Sequence, residues 1–222
     1  MKKHLLAAAI VALAAGSAMA QANDTLAKIK GSGSVTLGVR ESSGLSYTLG
    51  NGKYVGFHTE MGERVLDDIQ KQLGLAKLDV KYQPVTSQNR IPLVTNGTVD
   101  LECGSTTNNA ARQKDVAFAV TTYVEEVRMA VKANSGINSI TDLKGRTVAT
   151  TTGTTSVQTL RKNERAGNLD FKEVYGKDHA DSFLMVETGR ADAFVMDGSI
   201  LAANISKSKN PADFKIVGEV LS

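Results

Sequence analysis

TSQNRIPLVTNGTVDLECGSTTNNAAR, residues 86–112, sets two arginines and a hydroxyl cluster around one short apolar run. Within it, IPLVTNG reads as the end of a short helix closed by Asn96-Gly97, because glycine takes the left-handed conformation that stops a helix. VDLEC, residues 99–103, follows as a strand. Beyond that strand Ser105, Thr106 and Thr107 offer hydroxyls, and Asn108 or Asn109 is placed to cap a helix starting near Ala110. Free amides at such a helix start attract anions, and Arg112 sits one turn in. The pattern suits carboxylate ligands, and the helix–strand–helix order points to an α/β fold.

Outward from this stretch, short β-rich runs alternate with helical patterns, which argues for α/β layers with largely parallel sheets. Strands are expected at residues 35–39, 78–83, 99–103, 127–131, 147–151, 171–174, 191–196 and 214–217. Helices are expected at 60–73, 156–165, 180–188 and 199–206, the first with Val65, Leu66, Ile69 and Leu73 as its apolar face. LVTNGTVDL at 93–101 is echoed by MVETGRADA at 185–193, as two lobes of similar βα construction would produce, although two unrelated helix-glycine-strand junctions give the same pattern. The lobe boundary is placed at residues 122–126, which makes 21–122 one lobe and 123–218 the other. In open α/β sheets ligands bind beyond the carboxyl ends of strands, and a cleft between lobes gathers those ends in one place.

The first twenty residues join a basic start (Lys2, Lys3, His4) to an apolar run at 5–15 and a small-x-small site, Ala18-Met19-Ala20. This is the organisation of a cleaved secretory signal peptide. The run is too short to span a bilayer core of about 30 Å, and no cysteine follows the site to take a lipid. No later segment is apolar enough to span a membrane. A mature chain starting at Gln21 loses Lys2 and Lys3, so the formal charge falls from +3 to +1 and nucleic acid is not an evident partner. Cys103, the single cysteine of these 222 residues, reads as a buried thiol.

Further candidates stand at strand ends and helix starts. Arg40 closes the strand VTLGV; an isolated arginine there is usually a solvated residue. Ser87 and Arg90 in TSQNR have an ordinary reading as a helix cap and a first-turn residue. TGTTS, residues 152–156, follows the strand RTVAT and precedes a helix, so glycine and hydroxyls form an anion nest. With no P-loop pattern present, a carboxylate suits that nest as well as a phosphate does. His179 in KDHADSF lies just before a helix, and with His58 far away in sequence there is no metal-ligand spacing. Asp197 ends the strand ADAFVM, where a carboxylate either caps the next helix or pairs with an ammonium group.

At VRESS (39–43), TSQNRIPL (86–93), ECGSTTNN (102–109), GTTS (153–156) and KDHADSF (177–183) the sequence resembles the periplasmic glutamate/aspartate-binding proteins of ABC importers, within the polar amino-acid-binding family. The resemblance covers nearly all of the mature chain. It implies a two-lobed, type II periplasmic-binding-protein fold without enzymatic activity or cofactor. Such a protein works as a periplasmic monomer that captures L-glutamate and L-aspartate and delivers them to an inner-membrane ABC permease. By the same resemblance Arg112, Thr107 and Thr155 hold the α-carboxylate, and Asp197 with Ser105 and Thr107 the α-ammonium. Arg40, Ser87, Arg90 and His179 hold the side-chain carboxylate. Three arginines and one aspartate then complement two carboxylates and one ammonium.

The resemblance also implies a further strand and terminal helices that complete the first lobe, with residues 219–222 as the start of the return crossover. On this reading the C-terminal part of the first lobe is missing, and residues 21–222 alone are expected to aggregate and to bind weakly. The competing reading is a small periplasmic lyase or hydrolase of the same architecture acting on an acidic substrate. Ser105 would be its nucleophile, His179 its base and Asp197 the orienting acid, although a G-x-S-x-G elbow is absent.

Overall fold

The computed structural model describes residues 24–221, so the signal-peptide reading of the first twenty residues lies outside the described part. Asp24 accepts from the amides of Leu26 and Ala27 at 3.1 Å and so starts α1 (Thr25–Ser32). The chain continues through β1 (Ser34–Val39), a hairpin of β2 (Tyr47–Gly50) and β3 (Lys53–Val55), and α2 (Phe57–Gln72). β4 (Asp79–Pro84), α3 (Arg90–Thr95) and β5 (Leu101–Glu102) follow. β1 is the central strand of a three-stranded sheet, parallel to β4 on one side and to β5 on the other.

Residues 117–126 then carry the chain, without helix or strand, to a second sheet. Its elements are β6 (Val127–Lys132), β7 (Thr147–Thr151), α4 (Thr155–Gly167), β8 (Lys172–Gly176), α5 (His179–Glu187), β9 (Ala193–Asp197), α6 (Gly198–Lys207) and β10 (Phe214–Val217). They order as β10-β6-β9-β7-β8. β7 is parallel to β8 and β9, whereas β6 runs antiparallel to both of its neighbours. Within this sheet the expectation of largely parallel strands therefore fails at β6 alone.

Alternation along the strands builds the core. In β9, Ala193 and Val195 face one apolar cluster with Met129, Leu143 and Leu160, while Phe194 and Met196 face another with Phe183, Ile200 and Leu201. The first sheet packs Val35, Leu37 and Val39 against Ile29 and Leu66. Two details of the expected pattern change. Val65 is 42% exposed and lies at the margin of the apolar face of α2, which runs through His58, Thr59, Gly62 and Leu66 and on to Ile69 and Leu73, and the helix begins three residues earlier than expected. The β2–β3 hairpin was not anticipated, although Asn51 and Gly52, both at positive φ, are the residue pair that a two-residue hairpin turn favours.

No helix among the described residues is long and apolar enough to cross a membrane. Parallel strands bring their carboxyl ends to a common edge, and this positions the site. Arg40 follows β1, Ser87 and Arg90 follow β4, and Ser105 and Thr107 follow β5. Thr155 follows β7, His179 follows β8, and Asp197 is the last residue of β9.

Candidate functional site

Arg40 is fully buried although it stands at a strand end. Its backbone amide donates to Ser46 Oγ at 3.3 Å, where the chain folds back toward the β2–β3 hairpin. The guanidinium Nη2 donates to Ser87 Oγ at 3.2 Å and to Asp178 Oδ1 at 2.7 Å, while Nε and Nη1 have no partner among the described residues. Arg90, the first residue of α3, is also buried; its Nη1 donates to Ser105 Oγ at 3.4 Å and its Nε is unpartnered. Burial lowers the Arg90 pKa to about 10, against the opposing charge of Glu102, with Arg40 and Arg112 adding to the lowering. Glu102 itself spends Oε2 on the Thr106 hydroxyl at 2.7 Å.

His179 opens α5 and is fully buried, with Nδ1 3.1 Å from Thr151 Oγ1 and Nε2 without a partner among the described residues. Burial, and then the positive charge of Arg40 and Arg90, holds its pKa well below the usual value, so the imidazole is neutral at physiological pH.

At the other end, the helix expected near Ala110 does not form. A single 3₁₀ turn, Arg112–Lys114, takes its place, with Asn109 Oδ1 accepting from the Arg112 amide at 2.9 Å. Three residues carry too little aligned peptide dipole to attract an anion. Arg112 is instead aimed by its own hydrogen bonds, Nη1 to the Thr107 carbonyl at 2.9 Å and Nη2 to the Gly153 carbonyl at 3.0 Å. The TGTTS segment does open a helix, since α4 starts at Thr155, whose hydroxyl lies 3.3 Å from that of Thr107.

Asp197 occupies the N-cap position of α6, yet its side chain makes no capping hydrogen bond. Glu125, from the segment joining the sheets, takes the Ser199 amide instead at 2.8 Å. The Asp197 carboxylate is thereby left unspent. Burial and then the charge of Glu125 raise its pKa to about 6, against the pull of Arg90 and Arg112.

A narrow pocket, too tight in this arrangement to admit a water-sized sphere, is lined by Ser87, Arg90, Ser105, Thr107, Thr155, His179 and Asp197 together with Thr154 and Met196. Seven of the nine residues singled out in the sequence thus share one space. Arg40 and Arg112 stand at its two ends, tied to it through Ser87 and through Thr107 and Gly153. Sequence reasoning missed Asp178, Glu102, Glu125 and Thr151. Asp178 sits inside the quoted KDHADSF motif, but nothing local shows that it reaches a residue 138 positions away.

The parts carried by the two sheets meet at backbone distance across this pocket. A Cβ on Gly153 would lie 2.6 Å from the Ser87 carbonyl oxygen, and one on Gly44 would lie 2.7 Å from that of Ser199; both glycines have φ of +81°. Cys103, expected to be a buried thiol, is half-buried and free, and burial pushes its pKa up to about 11.

The model for bacterial extracellular solute-binding proteins, family 3, matches residues 35–210. An L-glutamate/L-aspartate-binding protein of Pseudomonas aeruginosa is 43% identical over 218 residues, covering 96% of this chain and 72% of its own length. A glutamate/aspartate import solute-binding protein of Escherichia coli is 42% identical over 221 residues, covering 96% and 73%. Among solved structures, an ABC transporter/periplasmic binding protein from Brucella ovis with glutathione bound superposes with a TM-score of 0.80 at 25% identity, over 90% of this chain and 62% of that one.

Proposed function

The chain belongs to family 3 of the bacterial extracellular solute-binding proteins, and from that premise we propose that it captures L-glutamate and L-aspartate in the periplasm for an inner-membrane ABC permease. Residues 21–122 and 123–218 are its two lobes, with the pocket between them. The observation that carries the reading is the distribution of unspent polar atoms. Among the described residues Arg40 Nε and Nη1, Arg90 Nε and His179 Nε2 are buried without partners at one end, where they outnumber the one unpartnered acceptor, Glu102 Oε1, and the Asp197 carboxylate is uncapped at the other. Buried polar groups in native proteins are hydrogen-bonded, so these atoms call for a ligand that brings acceptors to one end and a cation to the other.

An acidic α-amino acid meets that demand. Its distal carboxylate accepts from Arg40 and Arg90, with Ser87 beside them. It also selects the His179 tautomer in which Thr151 donates to Nδ1 and Nε2 carries the proton. Its α-ammonium lies against Asp197, Ser105 and Thr107, and its α-carboxylate against Arg112, Thr107 and Thr155. Contacts drawn from both lobes favour the closed arrangement, since only differential affinity shifts such an equilibrium.

The hydrolase or lyase reading has no support in the contacts of its three residues. Ser105 accepts from Arg90, His179 meets Thr151, and Asp197 bonds neither of them among the described residues. The family is one of solute-binding proteins.

Calorimetry with an amino-acid panel tests the assignment. Glutamate and aspartate bind, and glutamine binds roughly ten- to a hundredfold more weakly, because one charge-assisted contact is worth about 1.5–3 kcal/mol. Equal affinity for glutamine removes Arg40 and Arg90 from the distal end.

Affinity also depends on pH through Asp197. With its pKa raised to about 6 in the ligand-free protein, Asp197 is largely protonated below that pH, whereas the ligand ammonium needs the carboxylate. Binding therefore weakens as pH falls below about 6, and complex formation near pH 6 releases a proton. Binding enthalpies measured in buffers of different ionisation heat count that proton. Asp197→Asn abolishes both effects; their persistence assigns the titration to another group.

A further inference from the structure

Arg40 and Asp178 form the one ion pair among the described residues that spans the pocket, and Asp178 has no place in the count of three arginines and one aspartate made from the sequence. The Arg40 side chain is wholly buried, and the Asp178 side chain is 22% exposed. One carboxylate oxygen takes Arg40 Nη2 at 2.7 Å, while the other accepts from the Ser42 hydroxyl at 2.7 Å. A residue from the start of α5 is thus clamped by two residues that follow β1. The guanidinium is divided as a result: Nη2 is used by Asp178 and Ser87, and Nε and Nη1 are left for a ligand. Glu102 is the other acid near these arginines; Thr106 holds one of its oxygens, the other is buried without a hydrogen-bond partner among the described residues, and its charge acts on Arg90 without an ion pair to Arg40 or Arg90 there.

We propose that Asp178 is a specificity-determining residue of the acidic-amino-acid site, a resident carboxylate that shares Arg40 with the distal end of the ligand and so moderates the preference for a charged distal group over a neutral one. The inference rests on the reading of the site given above. With Asp178 in place, closure over an amide ligand leaves Arg40 with a counter-charge. Without it, closure over an amide leaves Arg40 without an ion-pair partner, whereas closure over a carboxylate does not. Asp178 is therefore a device for keeping Arg40 compatible with a shut cleft, and its removal sharpens discrimination.

Calorimetry on the full-length protein with glutamate and glutamine tests this through a ratio. Asp178→Asn raises the ratio of glutamate to glutamine affinity about tenfold, the size of one charge-assisted contact. Asp178→Ser does the same and guards against a folding defect, because serine is favoured at the N-cap position that Asp178 occupies in α5. Ser42→Ala loosens the clamp without changing charge, so it shifts both affinities by one common factor and leaves the ratio alone. A ratio that is unchanged or reduced in both neutral Asp178 variants overturns the inference. A ratio raised equally by Ser42→Ala also overturns it, since the effect is then one of anchoring. If the unmodified protein binds neither glutamate nor aspartate, the reading of the site fails first, and the two failures are told apart by that measurement.

Discussion

Arg90→Ala lowers glutamate affinity by about 2–4 kcal/mol, roughly thirty- to a thousandfold, which is the cost of truncating one partner of a buried, hydrogen-bonded charge pair. The effect is selective. Arg90 is buried, with Arg40 and His179 close enough for their charges to interact, and its Nε has no partner among the described residues; under the proposed assignment its remaining hydrogen-bonding capacity serves the distal end of the ligand. Glutamine, which brings an amide there, loses less, and the gap between the two ligands narrows about tenfold. Arg112→Ala acts differently because its guanidinium is held by the Thr107 and Gly153 carbonyls, which the proposed assignment puts at the end common to all α-amino acids. Every ligand weakens by a similar factor. Calorimetry of both variants with both ligands separates the two ends, and an equal loss for glutamate and glutamine in Arg90→Ala contradicts the division of labour.

A second large effect is expected where no ligand contact exists. In Gly153→Ala a methyl group would stand 2.6 Å from the Ser87 carbonyl oxygen and 2.8 Å from Gln88 Cα, both backbone atoms that no rotamer change can move. The positive φ of +81° adds strain of about 1–3 kcal/mol in any folded form, open or closed, and so lowers the melting temperature without touching affinity. The clash is different, because it arises only when the two lobes meet. It therefore acts on closure, and glutamate affinity falls roughly a hundredfold, about 3 kcal/mol. Small-angle scattering checks the cause: the unmodified protein contracts on adding glutamate, and the variant does not. Gly44→Ala, opposed by the Ser199 carbonyl oxygen at 2.7 Å, behaves in the same way from the other side of the cleft. Wild-type affinity in both variants refutes the view that these glycines permit closure.

Two kinds of information separate in this chain. Local pattern was enough to place the alternating strands and helices, because a period of two or of 3.6 is written within a dozen residues. It was not enough to give roles to Arg40, Ser87, Arg90, Ser105, Thr107, Arg112, Thr155, His179 and Asp197: locally several of them read as ordinary caps or solvated residues, and only the family resemblance singled out the nine together. Local pattern erred where neighbours in space decide. Val65 fell at the exposed margin of α2, and a 3₁₀ turn replaced the helix expected at Ala110. Charge placement was the larger omission. Glu125 caps α6 and frees Asp197, although 74 residues separate it from the amide that it holds, Ser199. Asp178 reaches Arg40 from 138 positions away, a pairing set by the order of two sheets and by the facing of their strand ends. Hydrophobic periodicity specifies which residues are buried within an element; which buried charges meet is decided only when separate elements pack, because an ion pair carries no signature in the residues between its partners.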